Sequence, residues 1–349
     1  MLMNKQTSNQ DSRRGGISGA DGRHPRCSGA TFRVISRILL VLVPAIMVLA
    51  LWAVFFRGLP AQMGRCMPFT AHHVGANVET RSLVPGDHIQ LLYHFWLTRE
   101  MVAGRTPFFH NLYEFNTGDD QARWEFDPGY IPFSLVYAAV SEVGGHALGW
   151  NVAQLVAVLT AFFFLYGLGA RYSRDRWTAL AGATLAMCLP YQWVVLAGGS
   201  PTGFGMAWVP AIALGLDIAV RDGRARGGLL AGVALFFCYT SDLHCLAFGC
   251  MLIPAWCLLA WVARDGRSLI PTRRAFVACI RGLWPTILSG AVVVVIAKVL
   301  SSFYAGTDAA GGRTVREVLR NSPSKRAMFG FPITGVDLHF RVGFVILIA

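Results

Sequence analysis

The chain has 349 residues, of which 54% are apolar and only 14% charged, with a mean hydropathy of +0.47. A soluble domain carries roughly a quarter charged residues, so an ordinary soluble globule is excluded. The formal net charge of +12 would suit a nucleic-acid binder, but the arginines sit in short loops between apolar runs, which is the pattern of membrane topology and not of a nucleic-acid face.

Residues 1–32 are rich in Ser, Gly and Arg without apolar periodicity and read as a disordered cytoplasmic tail. The apolar run that follows is of full membrane length, which that of a signal peptide is not. It predicts a first span at 34–56. A long mixed segment, 57–148, comes next and contains two stretches that read as surface helices. In 88–103, Leu91, Leu92, Phe95, Trp96 and Val102 follow helical spacing and Gly104 supplies a stop. In 131–145, Pro132 suits a first turn and Gly144–Gly145 an end. Further spans are predicted at 149–170, 177–197, 204–220, 227–240, 245–263 and 283–304, giving seven complete crossings. The run 336–349 is too short to cross, since about 20 residues are needed; it reads as an eighth span continuing past Ala349. The fold class is all-α: a polytopic membrane helical bundle with a long outside first loop carrying surface helices.

Loop charge orients the bundle, because basic residues stay on the cytoplasmic side. Arg171, Arg174 and Arg176 fill one loop, Arg221, Arg224 and Arg226 a second, and Arg264, Arg267, Arg273, Arg274 and Arg281 a third, whereas 198–203 and 240–244 carry none. The alternation requires a cytoplasmic N-terminus and a stretch 129–147 that does not cross. Only three lysines (Lys5, Lys298, Lys325) stand among 31 basic residues. That bias is typical of a GC-rich genome and suggests a bacterium, hence a cell inner membrane. The eight cysteines form no CxxC and most lie in apolar runs, so neither a disulfide framework nor a zinc site is expected.

Polar candidates gather on the outside. Asp87 opens the first surface helix, where it can cap the helix with Gln90 completing a capping box, and can also act as a general base. Asp242 and His244 lie in a turn between two spans, either solvated or lining an outside cavity; with Asp87 and His88 they could hold a divalent metal, although no ligand motif appears. Lys298 lies about two turns inside its span, where it can snorkel or meet a lipid-borne phosphate. Asp217 reads as an i,i+4 partner of Arg221. The outside-loop aromatics read as an interfacial belt. No nucleotide-binding, hydrolase or metalloprotease motif occurs, and no paired broken helices of a transporter are visible.

Gly86-Asp87 through Gly104-Arg105-Thr106-Pro107-Phe108-Phe109, then Pro132, Pro190-Tyr191, Ser200-Pro201-Thr202-Gly203 and Ala207-Trp208-Val209-Pro210, carry a resemblance over roughly 35–265. In these the chain is similar to the GT-C superfamily of polyprenyl-phosphate-sugar-dependent glycosyltransferases and related large bacterial multi-pass proteins. Relatives often place a histidine where this chain has Ser200. The resemblance implies sugar transfer from a polyprenyl-phosphate donor to an envelope acceptor at the outside face. Asp87 would be the base, and Lys298 or Arg105 would hold the phosphate. A non-catalytic lipid-binding scaffold and a transporter or flippase are the alternatives.

Overall fold

The computed structural model describes residues 29–56, 58–68, 70–75, 78–83, 88–108, 129–264 and 272–304. The chain divides into two units, Met1–Leu42 and Val43–Ala349. Of the first, the described part is the leading portion of helix α1 (Gly29–Phe55). The expectations for residues 1–28 and 336–349 fall outside the described residues.

In the second unit α1 buries Val48, Trp52 and Phe56, spaced by four, while Ile46, Leu49 and Val54 stay exposed. The mixed segment holds a 3-10 turn at Pro60–Gln62 and a two-stranded antiparallel hairpin, β1 (Thr70–Gly75) and β2 (Val78–Leu83), in register His72↔Arg81 and Val74↔Glu79. Sequence reading placed no strands there. The signal was a pair of short runs with β-branched residues on either side of Ala76-Asn77. Helix α2 (His88–Val102) occupies the first predicted surface helix and ends at Gly104, whose φ of +70° only glycine adopts freely. It buries Leu91, His94 and Phe95.

The next helical stretch, α3 (Phe133–Tyr172), covers 40 residues. As one rod it would be about 60 Å long, twice a bilayer's apolar thickness. It is not one rod. Gly145 has φ +81° and ψ +171°, and a Cβ on Gly149 would lie 3.0 Å from the Tyr137 carbonyl oxygen and 2.8 Å from Ser141 Cβ. A continuous helix would hold residues 137 and 149 roughly 18 Å apart. The chain therefore folds back at Gly145: 133–144 is a separate short helix lying against the start of 146–172. The predicted stop at Gly144–Gly145 is where the break occurs.

The stretch predicted as a single span at 177–197 consists of α4 (Arg176–Met187) and α5 (Pro190–Ala197), bent by 53°. Pro190 cannot continue the α4 ladder, and the Trp193 indole N–H closes the bend by donating to the Met187 carbonyl, 2.5 Å away. This broken helix was not foreseen. A short α6 (Pro201–Gly205) leads into α7 (Val209–Asp222), followed by α8 (Ala225–Ser241), α9 (Leu243–Val262) and α10 (Arg273–Tyr304). The last begins well before the predicted 283, so Arg273, Arg274 and Arg281 lie on a helix and not in a loop.

Glycines set the α7–α8–α10 packing. A Cβ on Gly215 would sit 2.4 Å from the Ala231 nitrogen, one on Gly228 2.1 Å from the Gly282 oxygen, and one on Gly282 2.0 Å from the Ala219 oxygen. Backbones this close are what small residues permit in apolar surroundings. Hydroxyls add to the seam: Thr286 donates to the Gly228 carbonyl at 2.9 Å and Ser289 to that of Gly232 at 2.7 Å. Buried amides tie other elements in. Asn151 donates to the Met63 and Cys66 carbonyls at 2.8 and 2.7 Å, and Gln154 to Leu196 at 2.6 Å.

The arginine loops share one end of the bundle. Arg171 pairs with Asp217 and Asp222, Arg221 lies 5.4 Å from the Tyr172 ring centroid, and Arg264 donates to the Ala275 carbonyl at 3.2 Å. Asp217 therefore joins Arg171 and the Tyr172 hydroxyl (2.5 Å) in place of the expected Arg221, whose guanidinium turns to the Arg171 carbonyl. The opposite end carries α2, the fold-back at Gly145 and the α8–α9 junction, where Thr240 and Ser241 donate to the Ile131 carbonyl at 2.7 and 3.3 Å.

This arrangement gives a labelling test of topology. In a cysteine-free background, a cysteine at position 174 is expected to resist an impermeant thiol reagent in intact cells and one at 202 to react. Labelling at 174 with protection at 202 would reverse the assignment.

Candidate functional site

The candidate site is the end of the bundle away from the arginine loops. Its base is aromatic. Phe95 of α2 meets Tyr137, Trp150 and Phe204 at centroid distances of 5.7, 5.3 and 5.2 Å, and Phe133 meets Phe204 and Trp208 at 5.4 and 5.7 Å. Edge and tilted ring pairs of this kind hold α2, both halves of α3 and α6 in one orientation.

Above this base lies a charged cluster. Arg105, just past α2, contacts Glu100 in bidentate fashion (Nε–Oε2 2.6 Å, Nη2–Oε1 3.0 Å) and reaches Glu142 of the 133–144 helix at 2.5 Å. Arg99 pairs with the same Glu142 oxygen at 2.8 Å. Glu100 is nearly buried, whereas Arg105 and Glu142 are 43% and 42% exposed. The hydrogen bonds that Arg105 donates to Glu100, and after it to Glu142, hold its guanidinium charged well beyond its ordinary range. Two cations and two carboxylates balance, so the cluster is neutral. Nε and Nη2 of Arg105 are engaged by the two carboxylates, and the partly exposed guanidinium keeps its Nη1 donors for a further acceptor; Glu142 is the more exposed of the two carboxylates. Beside it the Tyr137 hydroxyl lies 2.6 Å from His146 Nδ1 across the fold-back. Sequence reading singled out Arg105 but missed its partners. Their signal in the sequence was the glutamates Glu100 and Glu142, one near the end of each surface-helix stretch.

Asp242 caps α9: its carboxylate accepts from the backbone N–H of His244 at 3.2 Å and of Cys245 at 3.1 Å. It is 5% exposed, with His244 Nδ1 3.2 Å away on a 75% exposed ring. Gly205 of α6 presses on it; a Cβ there would lie 2.9 Å from Asp242 Cβ. The buried carboxylate is thus occupied in capping, and the open member of the pair is His244. His88 is the first residue of α2; its side chain and all of Asp87 lie outside the described residues. Lys298 is exposed on α10. Among the described residues no group of three His, Cys, Asp or Glu is placed to hold a metal ion. The proposed metal set needs Asp87 and His88, so only Asp242 and His244 of it are seen together.

Among the described residues, four helical stretches are long and apolar enough to cross a membrane: Phe133–Tyr172 with its break at Gly145, Pro201–Asp222 (α6 with α7), Leu243–Val262 and Arg273–Val299. The bent pair α4–α5 makes five if taken as one span, and Val41–Phe55 and Ala225–Ser241 are shorter apolar helices. The class defined is a helical bundle with four or five potential membrane crossings, as in a multi-pass membrane protein. Comparison with known protein families, with curated proteins and with solved structures yields no match.

Proposed function

We propose that this chain is an integral membrane glycosyltransferase of GT-C type. It would transfer a sugar from a polyprenyl-phosphate donor to a cell-envelope acceptor at the face away from the arginine loops, with its N-terminus cytoplasmic in the inner membrane. The observation that supports this most is the position of Asp87 immediately ahead of α2, a helix packed on 133–144 beside the Arg105 cluster. Asp87 takes the acceptor hydroxyl's proton as the sugar leaves its phosphate. Arg105, through its Nη1 donors, and Lys298 hold the phosphate. His88, His244 and the capped Asp242 are assigned to binding the substrate there.

The bend between α4 and α5 favours a second reading, a transporter or flippase, since discontinuous helices recur at transport sites. A non-catalytic lipid-binding scaffold would use the same architecture with Asp87 as a cap alone.

Asp87→Asn separates these. Asparagine caps as well as aspartate but cannot take a proton, and losing a general base costs about 10²–10⁴ in rate. Sugar transfer to acceptor in membranes is expected to fall by at least about a hundredfold, with the protein accumulating normally. Transfer at the unaltered rate would leave Asp87 as only a cap.

A further inference from the structure

Close packing at the seam has an electrostatic effect at the arginine end. Gly282 lies against the Ala219 backbone, which sets its neighbour Arg281 beside the start of α8. There Gly223, Arg224, Ala225, Arg226 and Arg281 line a shallow cleft of about 600 Å³. Among the described residues no acidic side chain lines it. Arg224 has a single long contact among the described residues, 3.8 Å to Asp222, and Asp222 is already held by Arg171 at 2.8 Å. Arg226 and Arg281 are exposed and make no ion pair among the described residues. Three arginines thus border one cleft and give it a net positive charge.

The chemistry of the cleft is that of a phosphate site. Guanidinium forks match phosphate oxygens in bidentate geometry. The start of α8 borders the same space: its N-cap Arg224 is extended and supplies no capping side chain, so an uncapped helix start with its positive dipole lies at the cleft.

The flanks identify the carrier of that phosphate. From Arg226, the residues three and seven further on are Leu229 and Val233, 60% and 42% exposed; from Arg281 they are Trp284 and Leu288, 51% and 55% exposed. Helical spacing puts each arginine and its apolar pair on one face. Two apolar stripes thus run away from the cleft along helices α8 and α10. A free phosphate has no use for them, whereas acyl chains do.

We propose that this cleft binds the phosphate headgroup of an anionic phospholipid, with its acyl chains along the Leu229–Val233 and Trp284–Leu288 stripes. The site is independent of sugar transfer and lies at the other end of the bundle.

The test is intact-protein mass spectrometry of the full chain in detergent, titrated with dioleoylphosphatidylglycerol or dioleoylphosphatidylcholine. The wild type is expected to retain the anionic lipid preferentially. Arg226→Ala with Arg281→Ala should weaken that retention roughly thirtyfold, about fivefold per arginine. Arg174→Ala with Arg176→Ala removes the same charge at the same end outside the cleft and should leave retention unchanged. Equal losses in both pairs would mean diffuse surface charge and overturn the site. Millimolar inorganic phosphate displacing the lipid completely would make it a free-phosphate site and overturn the lipid assignment. Should the alanine pair not elute as folded protein, Arg226→Lys with Arg281→Lys decides: several-fold weaker retention supports fork recognition, and wild-type retention overturns it.

Discussion

Replacing Gly282 by alanine is expected to destabilise the protein more than any other single methyl added to α10. The new Cβ would stand 2.0 Å from the Ala219 oxygen and 2.7 Å from its carbonyl carbon. These are backbone atoms of a packed helix, so no rotamer change relieves the clash and α7 must move away from α10. Overpacking of this kind costs about 1–3 kcal/mol and sometimes more, equivalent to a fall of roughly 2–5 °C in a unit of this size. Thr286 and Ser289 would be drawn off the Gly228 and Gly232 carbonyls as the helices part. The matched control is Gly290→Ala on the same helix, where nothing lies within 4 Å of the added carbon and alanine's better helix propensity contributes up to about 1 kcal/mol. Thermal unfolding in detergent, followed by tryptophan fluorescence, reads both. Equal midpoints for the two variants would show that the helices do not approach as described.

The second large effect is expected at Arg171. Asp217 is fully buried and Arg171 is its charge partner, while Asp222, on the outer side of Arg171, is 24% exposed. Arg171→Met leaves a buried carboxylate with only the Tyr172 hydroxyl for company. Removing one member of a buried pair costs about 3–5 kcal/mol. Asp222→Asn removes an outer partner and should cost only about 0–1 kcal/mol. Combining Arg171→Met with Asp217→Leu removes the stranded charge and should recover most of the loss, since apolar replacement of a buried pair is often neutral. Unfolding midpoints of the three variants check the order. A double variant no better than Arg171→Met would show that the cost lies in lost packing of the arginine stem.

Composition and period made much of the bundle legible. The α2 boundaries, the break at Gly144–Gly145 and the gathering of the arginine loops at one end all follow from patterns local in sequence. What escaped reading depended on partners distant in the chain. The bend at Cys188–Leu189 sits inside an unbroken apolar run, where hydropathy carries no directional information and only Pro190 hinted at it. Asp217 has Arg221 at the right helical spacing, but Arg171 is the group that tertiary packing delivers to it. Arg281 read as a loop residue because the apolar run starts after it, whereas the α8–α10 glycine contacts extend the helix back to Arg273. At the candidate site, Arg105 is singled out in the sequence by the resemblance and the Asp242–His244 pair by residue type. The carboxylates that neutralise Arg105, and the capping duty of Asp242, needed coordinates.

The fold-back at Gly145 bears on how the chain enters a bilayer during synthesis. Residues 133–144 emerge from the ribosome before 146–172 and, as a helix, measure only about 18 Å, well short of the ~30 Å an insertion channel must pass to the lipid as a span. A continuous helix would have presented the whole apolar stretch as one oversized stop-transfer signal with an ambiguous point of commitment. With the break, commitment waits for the second piece, whose trailing end carries Arg171, Arg174 and Arg176 to fix the side on which it halts. A piece of that length is too short to cross on its own, and with both its ends on one side it would leave the parity of every later crossing unchanged. One left-handed glycine thereby separates the question of whether the early segment docks from the question of which way the rest of the protein faces.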